Sequence, residues 1–288
     1  MVDLMNNADP LLEINDVELK SGPGARLIYL DASYFLVSHK RSGKGEFLNQ
    51  HLPDARFFCI DSVAEHSDNL PHMLPSQKLF ADSMSRLGIS EIDKVVIYDN
   101  SPLKSSARVW WTFRLFGHEN VFILNGGLPS WIDSGGLIES GEKKISPTNY
   151  NSAIKNDWLV AGFDDVRRIV NGSLKRVLID ARSSERFFGI VPELHEGLRS
   201  GSIPRSVNFP YTHVFDKKTG KYRAQKEVKN MFLKILPKFD PKMPITITCG
   251  SGVTAACVGV AALRSGFENV QIYDGSWAEW GSKIQSEY

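Results

Sequence analysis

Apolar residues in this chain fall in short runs closed by Gly, Asp, Asn or Ser, the pattern of strands buried on both faces. Three such runs lie at 27–30, 95–98 and 121–124, and three more at 177–179, 245–248 and 270–273. Between them apolar positions recur at helical spacing. Ala107, Trp110, Trp111, Leu115 and Phe116 mark a helix over 105–116, and Ala255, Val258, Ala261 and Ala262 mark one over 254–263. Strand, loop, helix and strand in repetition predict an α/β fold, a parallel sheet flanked by helices on both faces. In such sheets ligands gather at the carboxyl ends of the strands.

The chain also repeats itself. Gly-His-Glu-Asn-Val-Phe-Ile-Leu-Asn-Gly-Gly from Gly117 returns 149 residues later as Gly-Phe-Glu-Asn-Val-Gln-Ile-Tyr-Asp-Gly-Ser from Gly266. Trp131 and Trp280 match at the same offset, as do Asp31-Ala32 and Asp180-Ala181, and Leu52-Pro53 matches Ile203-Pro204 at 151. One offset held over most of the chain predicts a duplicated domain. The two copies are expected at 10–140 and 157–288, joined by a linker at 141–156 that is rich in Ser, Lys and Asn.

Composition narrows the function classes. Hydrophobic residues are 42% and charged residues 23% of 288 positions, and the net charge is +1. A balanced chain has no global field to draw in nucleic acid or an anionic membrane. No apolar run reaches the roughly 18 residues of a membrane span. Residues 1–10 carry Asp3, Asn6, Asn7 and Asp9 rather than a basic then apolar segment, so a cytoplasmic location is expected if Met1 is the true start. Three cysteines do not make a disulfide framework, and none has Cys or His at metal-ligand spacing. Neither a metal nor an organic cofactor is expected. The basic tract Lys217, Lys218, Lys221 and Arg223 reads most simply as a solvated turn.

The carboxyl-edge rule directs attention to Thr248-Cys249-Gly250-Ser251-Gly252-Val253-Thr254. A strand delivers Cys249 to the sheet edge, two glycines permit a tight loop with inward N–H groups, and a helix begins. The helix N-terminus favours the thiolate, which suits a nucleophile or a sulfur carrier. In the first copy Asp99 holds the equivalent place, so that half has the scaffold without the thiol. Cys257 and Cys59 sit in apolar surroundings and read as packing residues.

These motifs together resemble the two-domain rhodanese sulfurtransferases: the loop Cys-Gly-Ser-Gly-Val-Thr, Tyr273-Asp274-Gly275-Ser276-Trp277-Ala278-Glu279-Trp280, and Arg108-Val109-Trp110-Trp111. Within that superfamily the chain is most similar to the 3-mercaptopyruvate type. The resemblance implies two tandem rhodanese domains with the second catalytic. It implies that Cys249 takes sulfur from 3-mercaptopyruvate as a persulfide, releases pyruvate, and passes the sulfur to a thiol acceptor such as thioredoxin. Gly250 and Ser251 are uncharged, whereas thiosulfate-preferring members carry basic residues there. A tyrosine phosphatase loop is disfavoured because Ala255 stands where its Arg is required.

By the same resemblance Ser251, His72 and Asp61 match a proposed Ser-His-Asp relay, and Arg186 matches an arginine that binds the substrate carboxylate. Gly250, Gly252, Val253 and Thr254 match the sulfur cradle, and Arg108 is expected to face the cleft. A second substrate arginine of the family is replaced here by His195, within Pro192-Glu193-Leu194-His195. Loss of a charge-assisted contact of about 1.5–3 kcal/mol predicts roughly ten- to hundredfold weaker capture and a raised KM. Arg199 either compensates or is a solvated charge. Thiosulfate sulfurtransferase is the alternative within the class, and a non-catalytic sulfur-relay or binding module the alternative outside it. Two halves of one chain can form the cleft, so a monomer is expected.

Overall fold

The computed structural model describes residues 9–17, 25–66, 70–151, 155–194, 197–236 and 238–284. Its first half contains β1 (Leu11–Leu12), β2 (Leu27–Asp31), α1 (Gly43–Asn49), β3 (Arg56–Phe57), α2 (Gln77–Arg86), β4 (Lys94–Tyr98), α3 (Ser106–Leu115), β5 (Val121–Leu124) and α4 (Gly127–Asp133). The second half contains β6 (Val160–Ala161), α5 (Phe163–Asn171), β7 (Val177–Asp180), α6 (Ser184–Phe187), β8 (Ser206–Asn208), α7 (Gln225–Ile235), β9 (Ile245–Thr248), α8 (Ala255–Arg264), β10 (Val270–Tyr273) and α9 (Ser276–Lys283).

Each half is a five-stranded sheet, ordered β1-β5-β4-β2-β3 and β6-β10-β9-β7-β8, and every pairing is parallel. The second order is the first advanced by five strands, so the duplication extends to topology. It reaches single hydrogen bonds. Ala32 N donates to Tyr98 O and Ala181 N to Thr248 O, both at 2.8 Å; Phe58 N donates to Asp31 O and Phe209 N to Asp180 O, also at 2.8 Å. The six strands read from apolar runs are all present, and their sheets have helices on both faces. Missed were the edge strands β1, β3, β6 and β8, which at two or three residues are too short to show a period.

The halves share one apolar core. Helix α3 is buried along its whole length because it packs on its own sheet and against α8 of the other half. Gly259 of α8 makes this approach possible: a Cβ there would meet the Trp111 ring at 2.8 Å. The Trp111 indole N–H donates to Leu159 O at 3.3 Å, so Trp110 and Trp111 are core residues, as their spacing predicts. All three cysteines are free thiols, Cys249 and Cys257 buried and Cys59 partly so. Among the described residues no helix is long and apolar enough to cross a membrane.

Candidate active site

Cys249 follows the last residue of β9 and is 2% exposed. Its loop is shaped by the next helix but one. The first N–H groups of α9 have no partner within their own helix. Trp277 N donates to Cys249 O at 3.0 Å and Ala278 N to Gly250 O at 2.9 Å, while Cys249 N donates to Ser276 Oγ at 3.1 Å. With these carbonyls turned toward α9, the loop presents N–H groups on its other side. The N–H groups of residues 250–254 make no hydrogen bond among the described residues. The N-terminus of α8 lies directly behind them.

The twin loop shows what this scaffold holds. At the matching position Asp99 extends its carboxylate into the loop, accepting from Ser101 N at 3.1 Å and from Ser106 N, the first residue of α3, at 2.8 Å. Leu128 N donates to Asp99 O at 3.0 Å as Trp277 N does to Cys249 O. The first half thus closes its own loop with an anionic side chain. The second half puts a sulfur at that place and leaves the N–H groups for charge carried on or beyond it.

Gly252 has φ +78°. A Cβ there would meet Asp274 O at 2.8 Å and an Arg108 Nη at 3.1 Å, so only glycine fits. Gly250 is also crowded, with its Cβ position 3.0 Å from an Arg186 Nη. A cleft at the loop is lined by Cys249, Gly250, Ser251, Val253, Thr254, Arg186 and Leu194 from the second half and Tyr34, Leu36 and Leu103 from the first.

Arg186 thus lines the cleft beside Cys249 and Gly250. Glu193 engages its Nε at 3.3 Å and also its Nη2. Nη1 makes no hydrogen bond among the described residues, which leaves the opposite edge of the guanidinium for a second acceptor. Glu193 is itself fixed by Arg182, whose Nη1 donates at 2.8 Å and whose side chain is fully buried against Asp180. Sequence reasoning missed Arg182 and Glu193, because a buried charge network has no period or spacing.

His72 and Asp61 are brought together, with Nδ1 2.9 Å from Asp61 Oδ1. Ser251, the expected third member of the relay, lines the cleft beside Cys249 and Tyr34. Among the described residues no hydrogen bond joins Ser251 to His72, and the group at His72 Nε2 is Tyr34 Oη, at 3.1 Å. The two rings meet edge to face with centroids 4.8 Å apart. Tyr34 is half-buried, and burial beside Asp61 and Cys59 pushes its hydroxyl up to about 12.

Arg108, expected to face the cleft, is buried beside the loop. It is 3% exposed and does not line the cleft. Its Nη2 donates to Asp274 Oδ1 at 2.6 Å and to His72 O at 2.7 Å, and its Nη1 to Gly252 O at 3.4 Å. It lies behind the loop as a brace between the halves. Asp274, also missed as a site residue, accepts from Leu74 N at 2.8 Å and so anchors the segment bearing His72, whose φ of 59° needs such restraint. Arg199 lines a separate cleft with Arg167, Trp277 and Trp280. His195 lies outside the described residues. Cys257 faces Leu103 O and Lys104 O, and complete burial pushes its thiol well up, which suits packing rather than reaction.

The fold and this loop define a class: a tandem α/β protein in which one half carries a cradled cysteine and its twin does not. The chain belongs to the rhodanese family, the Rhodanese-like domain profile matching residues 41–134 and again 157–283. It is 38% identical over 261 residues to the 3-mercaptopyruvate sulfurtransferase of Mus musculus, covering 90% of this chain and 86% of that one. It is 37% identical over 295 residues to thiosulfate/3-mercaptopyruvate sulfurtransferase 2 of Arabidopsis thaliana, covering 95% and 84%. Its fold is similar to the crystal structure of SseA from Escherichia coli, a 3-mercaptopyruvate sulfotransferase, with a TM-score of 0.81, 33% identity, and 94% and 99% of the two chains covered.

Proposed function

We propose that this chain is a sulfurtransferase that moves the sulfur of 3-mercaptopyruvate through a Cys249 persulfide to a thiol acceptor, with release of pyruvate. The observation that carries the reading is the ring of N–H groups at 250–254, without a partner among the described residues in the second half and filled by the Asp99 carboxylate in the first. A persulfide extends one sulfur beyond Cys249 and bears one negative charge. Fixed dipoles stabilise such a charge without reorganising when it forms.

In this reading the Cys249 sulfur attacks the donor sulfur, the carbon–sulfur bond breaks, and the electron pair leaves as the enolate of pyruvate. Arg186 binds the donor carboxylate through the guanidinium edge that Glu193 leaves open. Arg108 and Asp274 hold the loop and His72 in register. An acceptor thiol of the thioredoxin kind then takes the outer sulfur. One copy of the chain suffices, because both halves line the cleft, and three free thiols suit a reducing cytoplasm.

The test is pyruvate release from 3-mercaptopyruvate with a thiol acceptor, run beside thiocyanate formation from thiosulfate and cyanide. Wild-type protein is expected to favour pyruvate release, and Cys249→Ser to abolish it while Cys257→Ala retains it. Preference for thiosulfate would move the reading to the alternative donor. Sulfur uptake on Cys249 without either reaction would make the chain a relay module.

A further inference from the structure

Three observations converge on a side chain that no expectation included. Tyr34 lines the cleft with Cys249. Its hydroxyl is 3.1 Å from His72 Nε2, and His72 Nδ1 is 2.9 Å from Asp61. Its main chain is pinned on both sides, Tyr34 N donating to Ser105 Oγ at 3.1 Å and Tyr34 O accepting from Ser101 Oγ. The phenol is a rigid bridge from the cleft to a histidine–carboxylate pair.

The hydrogen-bond directions follow from the partners. Asp61 accepts, so Nδ1 of a neutral His72 carries the proton and Nε2 is an acceptor. Tyr34 O–H therefore donates to Nε2. The phenolic oxygen keeps lone pairs that can accept a proton from a group in the cleft.

We propose that Tyr34, in place of Ser251, carries the donor's thiol proton between the cleft and the His72–Asp61 pair. This rests on the sulfurtransferase reading above. The donor thiol, with an ordinary thiol pKa of about 8.5, is mostly protonated at neutral pH. As Cys249 S⁻ forms a bond to the donor sulfur and the carbon–sulfur bond breaks, the S–H proton passes to Tyr34 Oη while the Tyr34 proton passes to His72 Nε2. The resulting imidazolium is paired with Asp61. The proton returns by the same route to the enolate carbon and becomes a methyl hydrogen of pyruvate. Cys–S⁻ plus the thiol gives Cys–S–S⁻ plus pyruvate, with no proton or electron left over. Because both transfers are concerted, no free phenolate forms, and the raised Tyr34 pKa is compatible with the role.

The titratable groups around the bridge are Asp61 and Cys59 beside Tyr34, Cys249 and Arg186 across the cleft, and Arg108 and Asp274 beneath His72. Of these, only Asp61 is hydrogen-bonded to the His72 ring besides Tyr34 itself. The role predicts a particular pH signature. Once the donor thiol ionises by itself, the base is no longer needed.

The experiment compares steady-state pyruvate release by wild type, Tyr34→Phe, His72→Gln and the double variant between pH 6.5 and 10. At pH 7 each single variant is expected to lose about 100-fold in kcat, with KM changed by less than about threefold, and the double variant to lose no more than either single one. The deficit is expected to shrink to within about threefold by pH 10. A Tyr34→Phe deficit below about threefold at pH 7 overturns the proposal. So does a deficit equal at pH 7 and pH 10, which a merely structural role would give, and so do losses that multiply in the double variant. His72→Gln keeps the test decisive if Tyr34→Phe fails to fold, because its own deficit must close with pH. If wild-type protein releases no pyruvate, the sulfurtransferase reading falls, and this role with it. If wild type is active and Tyr34→Phe matches it, only this role falls.

Discussion

Arg108 of the first half and Asp274 of the second form a buried ion pair at 2.6 Å, with side chains 3% and 9% exposed. The pair spans the interface directly behind the cysteine loop, and its two residues also bond His72 O, Gly252 O and Leu74 N. Both halves of the site therefore depend on one contact. Removing one member leaves the other buried without a counter-charge. Arg108→Met is expected to lower unfolding free energy by about 3–5 kcal/mol and to reduce turnover in the same protein. Urea unfolding is the measurement. Lys78→Ala, which removes an ion pair whose lysine is 84% exposed, is expected to leave the midpoint unchanged.

Gly252 makes a second prediction, confined to the loop. Gly252→Ala would force a Cβ to within 2.8 Å of Asp274 O at a φ of +78°. The loop must shift, so the N–H groups lose their aim at the sulfur. Loss of one aligned donor of this kind costs about 10²–10³ in rate, and Gly252→Ala is expected to fall in that range. Far-UV circular dichroism should match wild type, since only the loop is displaced.

Arg186 bears on the donor. Its open guanidinium edge is planar and fits a carboxylate with two hydrogen bonds, which a lysine does not reproduce. Arg186→Lys is expected to raise KM for 3-mercaptopyruvate about tenfold or more while Cys249 still accepts sulfur, as read by intact mass.

His118 sets a pH dependence of stability. It is buried between Asp93 O, 3.0 Å from Nε2, and the Tyr150 hydroxyl, 3.1 Å from Nδ1, and burial lowers its pKa from 6.5 to about 4. Between those values the unfolded chain binds a proton that the folded chain refuses. The contribution of neutral His118 is therefore complete above pH 6.5 and is lost as pH falls toward 4, about 3 kcal/mol in all. Asp31 works in the opposite sense. Burial raises its carboxyl from 3.8 to about 6, so its contribution is complete below pH 3.8 and lost as pH rises through 6. The difference between wild type and His118→Gln isolates the histidine. That difference is expected to shrink from pH 7 to pH 4.5 in urea titrations.

Much of the fold was legible because short apolar runs and a repeat are local signals. The strands predicted at 121–124, 245–248 and 270–273 coincide with β5, β9 and β10, and the two predicted helices lie within a residue of α3 and α8 at each end. Edge strands were illegible because their pairing is supplied by a neighbour. In the site, Cys249 was legible from strand, glycines and helix start. The contact of Tyr34 with His72 was not, since 38 residues separate the two and no motif links them. Arg108 was found but misplaced, because a sequence does not say whether a cation meets a ligand or a carboxylate from 166 residues away.

The sequence by itself determined the duplication, the parallel α/β halves and the cysteine at a strand's carboxyl edge, all of which follow from spacing along one segment. Only the tertiary structure decided which side chain meets His72, that Arg108 braces the loop from behind, and that Glu193 holds one edge of Arg186. These contacts depend on how two independently patterned halves pack through α3 and α8. The energies involved are those of burial and pairing between distant segments, and no local pattern encodes them.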